Sequence, residues 1–267
     1  MSVWPVLMMP IMTLIIALLL ATAGASHASS THCATPKFDE IAHIRYVHDG
    51  DTVHLDDGRK LRLIGIDTPE LARGKKSRQP FAIEARDFLR TRVKQHAHRV
   101  GIVFDREKHD KYGRTLAHLY FENGDSVQRA LLEAGLAVAF TTPPNAAQHA
   151  CYQSAEAHAQ QQADKLWTHE KYHTREVRDL QADSDGFRIL RARVLQSRSS
   201  SKGLWLTLEA GLSLQIKPAD LDNFAPSMLE SLPGKSVEVR GWLHPRKSKP
   251  TTRFYMQLRH PDNLRIL

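Results

Sequence analysis

The chain has 267 residues, 42% of them hydrophobic, which is enough to build cores and excludes wholesale disorder. Lys and Arg number 37 against 29 Asp and Glu, a formal charge of +8 that favours polyanionic partners. Two cysteines exclude a disulfide-dense scaffold and any four-cysteine zinc site, and the sequence has no internal repeat of the kind a solenoid needs.

No side chain before Lys37 carries a formal charge, and Val6 to Thr22 is nearly continuous apolar sequence followed by Ala23-Gly24-Ala25 and Ser26-His27-Ala28. An apolar run ending at an Ala-x-Ala-like site predicts a secretory signal peptide over residues 1–28 and a periplasmic or secreted location for the rest. The run lacks Lys or Arg at its start and is longer than a usual signal core, so an uncleaved membrane anchor is the alternative. In an oxidising compartment Cys33 and Cys151 are expected to pair, with two unpaired thiols as the other option. Closing so long a loop would contribute roughly 3–5 kcal/mol in the chain-entropy picture.

Ile44, Tyr46 and Val53 to Leu55 read as strand residues, Asp57-Gly58 as a hairpin turn, and Leu61 to Ile66 as one returning strand. Phe81, Ala85, Phe88, Leu89 and Val93 recur at helical spacing, and Val100 to Phe104 and Leu116 to Phe121 follow as strands. Asp125 or Ser126 caps a predicted helix through Val127, Ala130, Leu131 and Ala134, and a last helix is expected from about Ala146 to Trp167. Strands followed by helices that pack on them predict an α+β class with a small barrel over residues 37–168. Residues 169–185 are charged and read as a linker. Beyond it, Ile189–Leu195, Leu204–Leu208, Leu212–Ile216, Val237–Leu243 and Phe254–Leu258 read as strands, with a helix from Ala219 to Leu229. Five strands with a helix between the third and fourth is the order of an OB-fold, expected over 186–267. From Arg178 onward there are 15 basic and 9 acidic residues, so this last third carries most of the positive excess.

Three short stretches carry chemistry. Asp49-Gly50-Asp51-Thr52 sits where a strand turns, Arg62 begins a strand ending in Asp67-Thr68-Pro69-Glu70, and Asp110-Lys111-Tyr112-Gly113-Arg114 precedes another strand. Hard divalent cations take oxygen ligands, which Asp51 and Asp67 offer. Guanidinium groups pair with phosphate oxygens, and a carboxylate beside a bound cation can direct the attacking water. Each motif alone also has a structural reading: a turn, a helix start with Pro at its first position, or an arginine pointing outward from an alternating strand.

Taken together, "VHDGDTVHL", "RLIGIDTPE", "FDREKHDKYGRTLAHLY", "ALLEAGLA" and "SAEAHAQQQADKLW" resemble the staphylococcal-nuclease-like (thermonuclease) family, in order and at family-like spacing over roughly 38–170. The resemblance implies an OB-type five-stranded barrel with packed helices and Ca²⁺-dependent cleavage of DNA and RNA phosphodiesters; Mg²⁺ fits the same oxygen donors. By position it implies Asp51, Asp67 and the Thr68 carbonyl as metal ligands, and Arg62, Glu70 and Arg114 as catalytic residues with Glu70 the general base. It implies Lys111 and Tyr112 near the nucleotide phosphate. A catalytically inactive nucleic-acid-binding module of the same fold is the rival reading.

Two departures stand out. Where well-known members carry two tyrosines flanking the nucleotide, this chain has Phe140 and Thr142. The loop Ala72 to Pro80, "ARGKKSRQP", is basic enough to meet a nucleic-acid backbone, or to be simply solvated. In the C-terminal half, "VEVRGWLHPRKSKPTTRFYMQLRHP" resembles a small OB-type extension of bacterial relatives. There Trp205, Trp242 and Tyr255 lie among Arg240, Arg246, Lys247 and Lys249, as base-stacking groups or as barrel filling. His169-Glu170-Lys171-Tyr172-His173 matches H-E-x-x-H, but the segment is charged, follows a helix end, and has no third-ligand pattern after it.

Overall fold

Alternating burial along short strands builds the first half of the chain in this computed structural model, which describes residues 37–72, 74, 77–246 and 252–267 together with Met1 and Cys33. The leader expected over 1–28 lies outside the described residues apart from Met1, as do Arg73, Lys75 and Lys76 of the basic loop and Lys247 and Lys249. In chain order the elements are β1 (Glu40–Val47), β2 (Thr52–Leu55), β3 (Lys60–Leu63), β4 (Ile66–Asp67), α1 (Ala82–Gln95), β5 (Arg99–Val103), β6 (Thr115–Tyr120), α2 (Val127–Glu133), β7 (Val138–Ala139) and α3 (His149–Gln162).

The first barrel closes in the order β1-β2-β3-β6-β5, with β3 and β6 parallel and the other pairs antiparallel. Val53, Leu55, Leu61, Leu63, Val100, Ile102, Ala117 and Leu119 fill it, and α1 covers it through Ala85, Leu89 and Val93, at the spacing expected. The Ser126 hydroxyl caps α2 by accepting from the Arg129 N–H at 3.2 Å.

The strand expected from Leu61 to Ile66 is two. Gly65 turns the chain with φ 80°, and a Cβ there would lie 2.6 Å from the Tyr152 ring, so no side chain fits. The second piece, β4, leaves the barrel and pairs with β7, setting Asp67 opposite Val138. The last helix is shorter than expected. It stops at Ala163, which adopts a left-handed conformation, and Lys165–Thr168 continues as a 3-10 turn. A disulfide joins Cys33 to Cys151 on α3, with Cα atoms 5.4 Å apart.

The stretch 169–185 is ordered. Tyr172, Val177 and Leu180 are buried, and β8 (Thr174–Glu176) pairs parallel with β9 (Gly186–Ser200). Then follow β10 (Gly203–Leu208), β11 (Leu212–Ile216), α4 (Pro226–Ser231), β12 (Ser236–Pro245), β13 (Phe254–Leu258) and β14 (Leu264–Ile266). Five of these strands close a ring in the order β9-β10-β11-β13-β12, with β11 and β13 parallel, while β8 and β14 extend it. Number the five strands of each ring by chain order and both run 1-2-3-5-4, with a helix between the third and fourth. The helix expected over Ala219–Leu229 breaks into a 3-10 turn (Pro218–Asn223) and α4, which starts afresh at Pro226, a residue without an N–H to continue a helix.

The described residues from Cys33 to Leu267 belong to one compact unit, and the two barrels meet along α3. Arg240 of β12 makes a bidentate pair with Glu156 of α3 (2.5 and 2.7 Å), and Glu156 Oε1 also accepts from the Ala139 N–H at 2.8 Å. Beside it Val138, Ala159, Leu166, Trp167, Tyr172, Phe187 and Ile189 form a shared apolar cluster. Among the described residues no helix is long and apolar enough to cross a membrane.

Candidate active site

The turn between β1 and β2 is set by Asp49, whose Oδ1 accepts from the Asp51 N–H at 3.1 Å. Gly50 is there because a Cβ would lie 2.8 Å from Thr68 Oγ1 and 2.9 Å from Ala85 Cβ; only a bare backbone passes under Thr68 and α1. The turn buries Asp51, at 2% exposure. Its Oδ2 accepts from both the N–H and the hydroxyl of Thr68 (each 2.9 Å), and its Oδ1 from the Thr52 hydroxyl at 3.1 Å.

Arg62 does not point outward to solvent as a simple alternating strand would have it. Paired with Thr52 on one side and Leu116 on the other, it turns its guanidinium to Asp51 through Nη1. Its Nη2 donates to Asp67 Oδ1 at 2.9 Å and to the Ile66 carbonyl at 3.2 Å. One planar cation thus spans two carboxylates that are 16 residues apart in sequence.

Burial pushes the Asp67 carboxyl up, against the pull of Arg62 and Lys171. Glu70 is exposed. The protein mass on one side of it, then Asp49 and Asp67, raise its pKa, while Arg62 and Arg114 oppose the rise. Both arginines and two carboxylates therefore lie within electrostatic reach of Glu70. Arg114 is aimed by Asp110, whose Oδ1 accepts from the Tyr112 and Arg114 N–H groups (both 2.9 Å) and whose Oδ2 accepts from Arg114 Nε at 2.7 Å. Tyr112 is 74% exposed, with Lys111 Nζ 5.0 Å and the Arg114 guanidinium 5.9 Å from its ring.

The donor set suits a hard divalent cation. Asp51 and Asp67 are oxygen donors close enough to share one cationic group, with the Thr68 backbone adjoining. Two side-chain carboxylates leave the remaining coordination to a carbonyl and water.

Lys171 is a neighbour that sequence reading missed, since it lies within the stretch taken for a linker. Its charge acts on Asp67; burial and Arg188 lower its own pKa, while Asp67 and Asp185 raise it. Lys171 Nζ, Arg188 Nη1 and Trp242 Cζ3 converge to within about 4 Å of the Cβ position of Gly186. The H-E-x-x-H match is not a metal pair: Glu170–Tyr172 is a 3-10 turn, His169 Nδ1 accepts from the Lys171 N–H, and His173 Nε2 bonds the Trp167 carbonyl. Phe140 packs edge-on against Phe187, with centroids 6.2 Å apart, and so serves the joint between barrels; Thr142 is exposed. In the second barrel Trp205 and Tyr255 stand half-buried outside the core, 6.0 Å apart, with the Arg246 guanidinium 4.8 Å from Tyr255 and 5.7 Å from Trp205.

A family model described as "Staphylococcal nuclease homologue" matches residues 60–169. Over 128 residues the chain is 37% identical to a thermonuclease of Staphylococcus intermedius, spanning 46% of this chain and 74% of that protein. The chain belongs to the staphylococcal nuclease family. A Staphylococcus hyicus thermonuclease is also 37% identical, over 123 residues, 45% of this chain and 69% of that protein. Endonuclease YncB of Bacillus subtilis is 33% identical over 131 residues, 47% of this chain and 61% of that protein. The matched staphylococcal nuclease segment holds Arg62, Asp67, Glu70 and Arg114; Lys171 and the second barrel lie beyond it.

Proposed function

We propose that this protein is a divalent-metal-dependent endonuclease that hydrolyses DNA and RNA backbones. The observation that carries the reading is the Arg62 guanidinium bridging Asp51 and Asp67, with Glu70 and Arg114 in electrostatic reach. Asp51, Asp67 and the Thr68 carbonyl would hold the cation; Ca²⁺ is the ion implied by family, and Mg²⁺ suits the same donors. When bound, the cation polarises the phosphodiester and offsets its charge. Glu70 takes a proton from water as the new P–O bond forms and the bond to the 5′ oxygen breaks, and that leaving oxygen takes up a proton from solvent. Arg62 and Arg114 contact the phosphate oxygens and strengthen their hold as negative charge builds on them. Lys111 and Tyr112 flank the nucleotide phosphate, and Lys171 adds positive charge from the second barrel side.

The domain reading is residues 37–168 as the catalytic barrel and 186–267 as an auxiliary one, whose Trp205, Tyr255 and Arg246 suit base stacking on a single strand. The Cys33–Cys151 disulfide supports export to the periplasm or exterior, behind a leader over 1–28.

Incubating purified protein with plasmid and single-stranded RNA, across Ca²⁺, Mg²⁺ and chelator, tests the reading. Cleavage of both polymers that chelator abolishes is expected. An intact plasmid under every metal, with a salt-sensitive gel shift, would instead establish the binding module.

A further inference from the structure

Outside the Asp51–Arg62–Asp67 set, one cluster among the described residues brings metal-ligating side chains together from both barrels. His149 is the first residue of α3, and His260 and Asp262 lie in the turn between β13 and β14. His149 Nδ1 stands 2.8 Å and His260 Nδ1 3.1 Å from the same oxygen, Asp262 Oδ2, and the two imidazoles are 5.0 Å apart. One ligand atom from each residue lies within 4.8 Å of the other two. The two histidines line a cavity of about 610 Å³ between the barrels, which gives a fourth, water ligand room.

We propose that His149, His260 and Asp262 form a second metal site, for a borderline divalent cation of the zinc class, that pins α3 to the second barrel. Two imidazole nitrogens and one carboxylate are the donors such ions select, whereas the all-oxygen site suits Ca²⁺ or Mg²⁺. With bonds of about 2.0–2.2 Å, tetrahedral ligands sit roughly 3.3–3.6 Å apart. The present spacings of 2.8 and 3.1 Å are shorter, and His260 Nδ1 now accepts from the Asp262 N–H at 3.4 Å, so outward shifts of about half an ångström, with that cap bond given up, admit the ion. The site also joins the fold at a seam already held by Arg240–Glu156 and by Arg259, whose Nη2 donates to the Pro143 carbonyl at 2.6 Å. Its role is structural: it shares no residue with the catalytic set. No spacing in the chain announces it, because His149 and His260 are 111 residues apart in sequence.

The test titrates metal-free full-length protein with Zn²⁺ and Co²⁺ in excess Mg²⁺, which occupies the oxygen site. One equivalent of Zn²⁺ is expected by calorimetry, and a melting temperature raised by roughly 5–10 °C at one hundred times the Kd. Co²⁺ is expected to give visible ligand-field absorption. His260→Gln and Asp262→Asn are expected to weaken binding at least about tenfold while Mg²⁺- or Ca²⁺-supported cleavage is unchanged. On unmodified protein, saturating Zn²⁺ is expected to shield His149 and His260 from diethylpyrocarbonate, read by mass spectrometry. No saturable equivalent in the wild type, undiminished binding in His260→Gln, or full modification of both histidines under Zn²⁺ would each overturn the site.

Discussion

Replacing Arg62 by alanine probes the whole site at once, because its guanidinium is the group that joins Asp51 to Asp67. The side chain is 17% exposed and the two carboxylates 3% and 13%, so its bonds form where water competes poorly. Charge-assisted hydrogen bonds of this kind contribute about 1.5–3 kcal/mol each. Asp51 keeps its bonds from Thr68 and Thr52, which softens the loss. Metal-free Arg62→Ala is therefore expected to lose about 2–4 kcal/mol, or roughly 5–15 °C in melting temperature. Added Ca²⁺ should raise its melting temperature more than it raises that of the wild type, since a cation no longer competes with a guanidinium for the same oxygens. Plasmid nicking should fall by at least about 10²–10³-fold, the usual loss when one fixed stabiliser of a developing oxyanion is removed. Arg62→Lys should recover only part of this, because a single ammonium cannot span two carboxylates and a carbonyl. Near wild-type nicking by Arg62→Ala, or an unchanged melting curve in chelator, would exclude this bridging role for Arg62.

Arg240→Ala leaves Glu156 buried without its cation and is expected to cost about 3–5 kcal/mol in urea unfolding, whereas the double change Arg240→Met with Glu156→Gln should cost less. Gly65→Ala meets both a positive φ and the Tyr152 ring, so a loss of about 2–4 kcal/mol is expected, with nicking reduced through the displaced Asp67; an unchanged melt would contradict the packing argument. Burial opposes ionisation of Asp105, yet the Ala147 and Arg106 N–H groups and His118, whose Nε2 is 3.9 Å away, hold its carboxyl down at about 2. A depressed carboxylate stabilises the fold above its ordinary value of 3.8 and ceases to do so as pH falls through about 2. Asp105→Asn should therefore cost about 1–2 kcal/mol at pH 7, with the gap to wild type closing between about pH 4 and pH 2; a gap that ignores pH would exclude this assignment. Arg114→Ala should keep close to a wild-type melt but lose most nicking, since the pair is only partly buried and Asp110 Oδ1 still accepts from the backbone N–H groups of Tyr112 and position 114.

Local pattern alone carried much of the first barrel. Val53, Leu55, Leu61 and Leu63 alternate as a half-buried hairpin must, Ala85, Leu89 and Val93 mark the covered face of α1, and Ser126 stands where a helix needs a cap. The candidate site was legible only in pieces. Asp51, Arg62, Asp67 and Glu70 each had an innocent local reading, and it was their joint order with Arg114 that pointed to one family.

What the chain determined by itself was which residues face a core and where strands turn, because side-chain period and turn chemistry act over a few neighbours. Which loops meet was decided by closure. The parallel β3–β6 pair brings Arg62 beside Leu116, just past the turn that carries Arg114. Lys171 reached the neighbourhood of Asp67 because Tyr172 is buried in the joint between barrels, a fact hidden by its charged surroundings. His149 came to face His260 and Asp262 because α3 packs along the second barrel, where Arg240 holds Glu156. Contacts between residues far apart in the chain leave no periodic trace, since their partners are set by the register of strands and the burial of a shared seam rather than by spacing along the backbone.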